Sequence, residues 1–412
     1  MTNLTVDKTI TIDMFMEDWV EERISELHKD QEFMRLLKEP DKKRFWEYVD
    51  KEPYEVKTVI PPIFDEYTPC GIFYGLESLP VELEVCYAIL AFHVPSTFKR
   101  LCGSDLACLL ALREVTVPDD NPYFSSKDGV LYNKDLTQLI FCSSNRKKTS
   151  LIIPSSVTEM DPAAFLQNMS LKSVVLSENL EKMDPYAFSR CYSLESISVP
   201  SLNPYFSSYE GVLFDKRMER LIQYPVKKSD KSFITPEKTR FINDGAFQPN
   251  RSLEEITLND GLREIGSSAF MDCRNLRSIN LPDTVTDIGM NAFAGDSNLS
   301  SIILPPKIKY LCSSLFSGCS SLREIIIPDG VERIDEYPFM GCSALKRVTI
   351  PNSVVIIHGS AFDDCYALRS LEYGGTKAQF WGICVLEVPL FECSDVKCIH
   401  CSDGDILLDR DC

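Results

Sequence analysis

A phenylalanine returns every 23 residues along most of this chain, and few folds can carry such a period. Phe165 and Phe188 are 23 residues apart, and Phe247, Phe270, Phe293, Phe316, Phe339 and Phe362 follow at steps of 23. Self-similarity at a period of about 20–50 residues marks a stacked array. The same frame surrounds each phenylalanine. One copy reads Pro282, Val285, Ile288, Ala292, Phe293, Leu299, Ile302, Leu304, and the next reads Pro305, Ile308, Leu311, Phe316, Cys319, Leu322, Ile325, Ile327. In residues 276–281, Leu276 opens a turn while Ile279 and Leu281 alternate inward along a short strand. A single coil of this kind cannot bury its apolar edge, but stacked neighbours can.

One interval breaks the rhythm. Phe188 and Phe247 are separated by 59 residues, which is 23 plus 36. Stepping 59 back from Phe165 reaches Leu106, framed by Pro95, Leu112, Val115, Val117 and Pro118, a worn copy with leucine in the phenylalanine slot. The two gaps hold near-identical stretches, NPYFSSKDGVLY from Asn121 and NPYFSSYEGVLF from Asn203, 82 residues apart. They read as equal insertions into one array, each a β-hairpin. Val130, Leu131 and Tyr132 and then Leu139, Ile140 and Phe141 flank the polar turn Asn133, Lys134 and Asp135. Val212, Leu213, Phe214, Leu221 and Ile222 repeat the arrangement.

The frame P-x2-V-x2-I-x3-A-F-x2-C-x2-L-x2-I-x-L, together with the insert NP-x-(Y/F)-x-S-x-x-GVL(Y/F), resembles the BspA-type leucine-rich repeat family over residues 93–402. The resemblance implies a curved solenoid with a parallel sheet on one face and a role in adhesion or protein binding, commonly at the cell surface. The expected fold is therefore a leucine-rich-repeat solenoid of nine repeats over residues 93–373, with inserts at 119–153 and 201–235 and a C-terminal cap at 374–412. Residues 1–92 follow other rules. Met16, Val20, Ile24, Leu27 and Met34 lie at helical spacing after a candidate N-cap, Asp13, and before Pro40, and residues 41–50 read as a second helix. A small α-helical N-terminal domain that also caps the first coil is the expectation.

The formal charge of −18 argues against binding a phosphate backbone, which needs clustered Lys and Arg. The start of the chain has no basic segment followed by an apolar one, so no secretory signal is read there. The apolar run at 81–92 is too short to span a bilayer and carries Glu82 and Glu84. Many of the sixteen cysteines recur singly at one phase of the repeat, which predicts buried, reduced thiols rather than a disulfide framework. On that ground the chain is expected to be a cytoplasmic monomer, with the cell surface or secretion as the alternative the family resemblance implies.

Catalytic patterns are sparse. Four histidines occur, His28, His93, His358 and His400, and no GxSxG, HExxH, P-loop or GxGxxG is present. A Cys86–His93 pair lacks an orienting partner, and Cys70 or Cys86 would carry any enzyme housed in residues 1–92. Cys191, Cys273, Cys319, Cys342 and Cys365 sit three residues after the repeat phenylalanine, a slot that Asn168, Asn250 and Asp296 fill elsewhere. A small residue turning the coil explains that slot better than a metal ladder. Cys393, Cys398, His400 and Cys401 are zinc-type ligands, but strand alternation puts Cys398 and His400 on one side and Cys401 on the other. The set is expected to hold no metal, and no cofactor is expected. What remains is binding. Outward strand positions are mostly small and polar, with Val175, Ile303 and Ile326 as apolar exceptions. Ile303 and Ile326 fall on adjacent coils, with Ser301, Glu324 and Arg347 around them, and this patch is the expected site for a protein partner. A non-catalytic interaction scaffold is the leading reading. An exported adhesin of the same fold and an enzymatic N-terminal domain targeted by the array are the alternatives.

Overall fold

The computed structural model describes residues 91–408, apart from 95, 97, 108, 110, 111, 387–389 and 392–394, together with the backbone of the strands Lys57–Val59 and Cys70–Tyr74. The chain falls into two compact units, residues 1–193 and 194–412.

In the second unit, successive coils pair their strands in parallel at a register of 23. Ser232–Ile234, Glu255–Thr257 and Ser278–Asn280 form one run. Glu324–Ile326, Arg347–Ile350, Ser370–Tyr373 and Cys398–Cys401 form another, closed by the antiparallel strand Gly404–Leu407. Two-residue strands on the next side of each coil make a second ladder, in which Phe241–Ile242, Glu264–Ile265 and Asp287–Ile288 pair in order. Between the ladders lies the phenylalanine. The rings of Phe247, Phe270, Phe293, Phe316, Phe339 and Phe362 stack face to face with centroids 4.8 to 5.9 Å apart, and Phe391 extends the column. Offset stacking at this spacing adds to the burial of the rings themselves. The backbone turns sharply on either side of each ring. Asn291, Ser314 and Tyr337, two residues before, and Gly295, Gly318 and Gly341, two residues after, all have positive φ. At Gly318 and Gly341 an added Cβ would meet the glycine of the preceding coil only at ordinary contact distance, so it is the left-handed backbone that favours glycine there.

The first unit uses the same construction. Ser150–Ile152 pairs with Ser173–Val175, and Phe165 stacks on Phe188 at 4.9 Å. Leu106, the worn copy's substitute, is fully buried on a one-turn helix, Gly103–Ala107. The two expected helices near the N-terminus lie outside the described residues. Within 1–92 the described segments are strands instead. Lys57–Val59 runs antiparallel to Cys70–Tyr74, which lies parallel to Ala91–His93, itself parallel to Glu114–Thr116. The edge of a parallel sheet is a template for further strands, and this one is used as such.

Both inserts are larger than the hairpin read from sequence. Each is a three-stranded antiparallel meander, Phe124–Lys127, Val130–Asn133 and Gln138–Cys142 in one, Phe206–Tyr209, Val212–Asp215 and Arg220–Gln223 in the other. The extra first strand follows from the quoted motif. Asn121 is buried and its Oδ1 accepts from the backbone N–H groups of Tyr123 and Phe124, and Asn203 does the same for Tyr205 and Phe206. The pairs Asp128–Gly129 and Glu210–Gly211 both have positive φ, the conformation that a two-residue hairpin turn requires. The last strand of each meander then joins the parallel ladder, at Glu159–Met160 and at Phe241–Ile242. Tyr224 completes the second insert. It lies 23 residues before Phe247 and its ring stacks on Phe247 at 5.0 Å, so the insert supplies its own occupant of the phenylalanine slot.

Candidate functional site

The slot three residues after each phenylalanine is structural. The thiols of Cys273, Cys319, Cys342 and Cys365 each donate to the carbonyl of the phenylalanine one coil earlier, at 3.1 to 3.4 Å, and Cys191 does so to Phe165 at 3.0 Å. Burial pushes all five thiols well above their usual range, Cys365 up to about 12. A thiol held protonated is neither a nucleophile nor a metal ligand. Their single spacing is thus explained by packing, and packing of this kind shelters a cysteine in any compartment. The sequence argument for a reducing interior therefore loses its basis. Asn168 and Asn250 fill the same slot by other means. Each Oδ1 accepts from two backbone N–H groups ahead and each Nδ2 donates to carbonyls of the preceding coil.

The strand face is the candidate interaction surface. In the second unit Ile303 is 83% exposed and Ile326 68% exposed, and Glu324 and Arg347 make an ion pair of 2.8 Å across adjacent strands. In the first unit Val175 is half-buried and Ile152, which the sequence reading passed over, is exposed. Ile234 is a further exposed position of this type. Its signal was present as the third residue of its strand, in phase with Ile303 three coils on. One expectation fails here. Residues 301–303 carry no strand, so the hydrogen-bonded register that would set Ile303 beside Ile326 is absent and the parallel sheet is divided at this coil. Ser301 and Ile303 are exposed on that segment all the same.

Charge along the rim of this face is also periodic. Lys231, Glu254 and Arg277 occupy one phase on three coils, and Glu254 bridges both neighbours, which hold its carboxyl below the usual range. In the same phase further along, Arg323, Lys346 and Arg369 are all exposed and all basic. A chain with a net charge of −18 thus presents a basic column beside its exposed isoleucines.

The histidines separate. His28 lies outside the described residues, as does Cys86. His93 is buried with Nδ1 3.1 Å from the Thr116 hydroxyl, and His358 is buried with Nδ1 2.6 Å from that of Ser360, whose short 3-10 turn it caps. His400 lies on the outward face of the last parallel strand with Cys398. Cys401 points to the other side, where it packs against the core, and Cys393 lies outside the described residues. Asp405 joins His400 at 2.9 Å from the returning antiparallel strand. Among the described residues no helix is long and apolar enough to cross a membrane.

The BspA type leucine rich repeat region matches in six copies, over residues 132–210 and 227–346. Among solved structures, the chain is similar to a leucine-rich repeat protein from Eubacterium ventriosum ATCC 27560, at 23% identity over 81% of this chain and 86% of that one, with a TM-score of 0.60. It is also similar to a leucine rich cell surface protein from Faecalibacterium prausnitzii A2-165, at 24% identity over 74% of this chain and 84% of that one, with a TM-score of 0.50. At these identities the likeness is one of fold. No match is found among curated proteins.

Proposed function

We propose that this chain, whose repeats are BspA-type leucine-rich repeats, is a non-catalytic scaffold that holds a protein partner on its strand face. The observation that carries the reading is the pair of exposed isoleucines, Ile303 and Ile326, at the same phase of successive coils on a mostly polar face. Isolated apolar residues on a surface are ordinary, but two of them at the same phase of a rigid array, beside a basic column, form an anchor with a charged rim. The partner would present an apolar side chain to the isoleucines and acidic residues to Arg323 and Lys346, Arg369 being paired to Asp395 at 2.6 Å. Capture from source-cell material with the native chain and an Ile303→Asp, Ile326→Asp double variant tests this. Both side chains are solvent-exposed, so the variant should keep the native circular dichroism and unfold within about 0.5 kcal/mol of the parent. A partner held by the native chain and lost from the folded variant is the expected result. Equal retention by both would move the binding site off this face.

The cell surface is the better-supported place for such a scaffold. The support is the fold shared with the leucine rich cell surface protein of Faecalibacterium prausnitzii, together with a cysteine column whose burial makes it indifferent to an oxidising exterior. Protease treatment of intact source cells should remove the protein while a cytoplasmic marker survives. Survival of both would return the scaffold to the interior.

A further inference from the structure

Among the described residues, the last two strands bring together a donor set that no other coil has. On the outward face, Cys398 and His400 alternate along Cys398–Cys401, and the antiparallel register sets Asp405 opposite His400. The preceding coils carry Glu324 and Ile326, Arg347 and Thr349, then Ser370 and Glu372 at the equivalent positions. His400 Nδ1 is 2.9 Å from Asp405 Oδ1 and 3.7 Å from Cys398 Sγ, and one ligand atom from each of the three residues lies within 4.8 Å of the others. We propose that Cys398, His400 and Asp405 form a binding site for a zinc-type divalent cation, a donor set distinct from the four-residue group suggested by sequence spacing.

The chemistry and the geometry agree. Thiolate, imidazole and carboxylate together select a borderline cation such as Zn²⁺ over Ca²⁺ or Mg²⁺, which prefer oxygen throughout. Donors around a tetrahedral zinc, with metal–ligand lengths of about 2.0–2.3 Å, stand about 3.2–3.7 Å apart. The present separations straddle that range, so small side-chain rotations suffice. On binding, the Cys398 thiol loses its proton to solvent. The Nδ1 proton that His400 donates to Asp405 is released to solvent from an imidazolium or moved to Nε2 in a neutral ring, so that His400 ligates through Nδ1 with a proton on Nε2. The Asp405 carboxylate, now hydrogen-bonded to His400 Nδ1, turns to the metal. The fourth position is open to water or to Glu372, which lies in register with His400 on the neighbouring strand. Because the three ligands come from both strands of the terminal hairpin, the cation would clasp the end of the array.

Cobalt(II) is the probe. Full-length protein stripped with a chelator and then given Co²⁺ should develop a thiolate-to-cobalt charge-transfer absorption together with the visible bands of a tetrahedral centre, and Zn²⁺ should displace both. Cys398→Ser should lose the charge-transfer absorption, and Asp405→Asn should weaken Co²⁺ binding at least about tenfold. Cys401→Ser, on the opposite side of the strand, should retain the native spectrum. Circular dichroism of each variant checks the fold, and the near-isosteric Asp405→Asn carries the test if Cys398→Ser does not fold. The proposal is overturned if native protein gives no thiolate–cobalt absorption, if Cys398→Ser keeps it, or if folded Asp405→Asn binds as tightly as the parent.

Discussion

Alanine at position 293 is expected to destabilise the second unit by about 3–5 kcal/mol and to split its unfolding into two steps. The first part is the ordinary cost of deleting a buried ring and leaving a cavity, since Phe293 is fully buried between Phe270 and Phe316 at 5.4 and 5.5 Å. The second part is specific to this coil. A repeat array is held by nearest-neighbour interfaces, and its cooperativity is only as strong as the weakest of them. The strand ladders stop here, because residues 301–303 form no strand and Asp287–Ile288 and Tyr310–Leu311 end separate sheets. The interface between the Phe293 and Phe316 coils therefore relies on ring stacking, the apolar core, the turn bonds Asn291 to Ser313, Phe293 to Leu315 and Gly295 to Ser317, the Cys319 thiol on the Phe293 carbonyl and a long Arg323 to Ser300 bond. Phe270→Ala is the control, because both ladders pair on its preceding side and the second ladder continues past it to Asp287–Ile288. Urea unfolding followed by far-ultraviolet circular dichroism should show a broadened or biphasic transition for Phe293→Ala and a single shifted one for Phe270→Ala. Identical single transitions would show that the coils around residues 301–303 are coupled as tightly as the rest.

Asp296→Asn should act in the opposite direction and stabilise the protein by about 1–3 kcal/mol at neutral pH. Asp296 occupies the cysteine and asparagine slot of the same coil. It is fully buried, and neither carboxylate oxygen reaches a donor at hydrogen-bonding geometry. Burial raises its pKa well above the usual carboxylate range, the Asp272 carboxylate adds to the rise, and the Cys273 backbone opposes it only in part. The native carboxyl consequently keeps its proton at pH values where the unfolded one, near 3.8, has lost it. The unfolded state then binds fewer protons than the native state, so stability falls as the pH rises above about 3.8, by up to about 1.4 kcal/mol per unit until the native group ionises. Asparagine carries no such term, and Asn168 and Asn250 show that its amide can satisfy both the turn ahead and the carbonyls behind. Denaturant midpoints measured from pH 4 to 8 should decline more steeply for the parent than for Asp296→Asn. Parallel curves with no gain would mean that the carboxylate is solvated or paired in the native protein.

Much of this was legible in the sequence. The interval of 23 located the phenylalanine column and the inward Ile, Val and Leu positions, because every residue at one phase of a stacked coil meets the same environment. The equal gaps exposed the two inserts. Tyr224 was within reach of the same arithmetic, one step before Phe247, and was hidden only by its different side chain. The three-stranded form of the inserts was harder to see, since FSSK and FSSY are weakly apolar and owe their strand state to the Asn cap and the hairpin turn beside them.

A local period, then, was enough to specify the coil, its buried set and the equivalence of its copies. It could not specify events that depend on how particular coils meet. The interruption at residues 301–303 breaks no rule of the repeat, yet it divides two ladders, because hydrogen-bond register is a property of a pair of strands. Asp405 is unremarkable in sequence and became the partner of His400 only when the terminal strand folded back antiparallel. Asp296 looks like any other small turn residue until its slot proves to be closed to water. In each case the deciding quantity, register, convergence or desolvation, exists only between segments that the folded structure brings together.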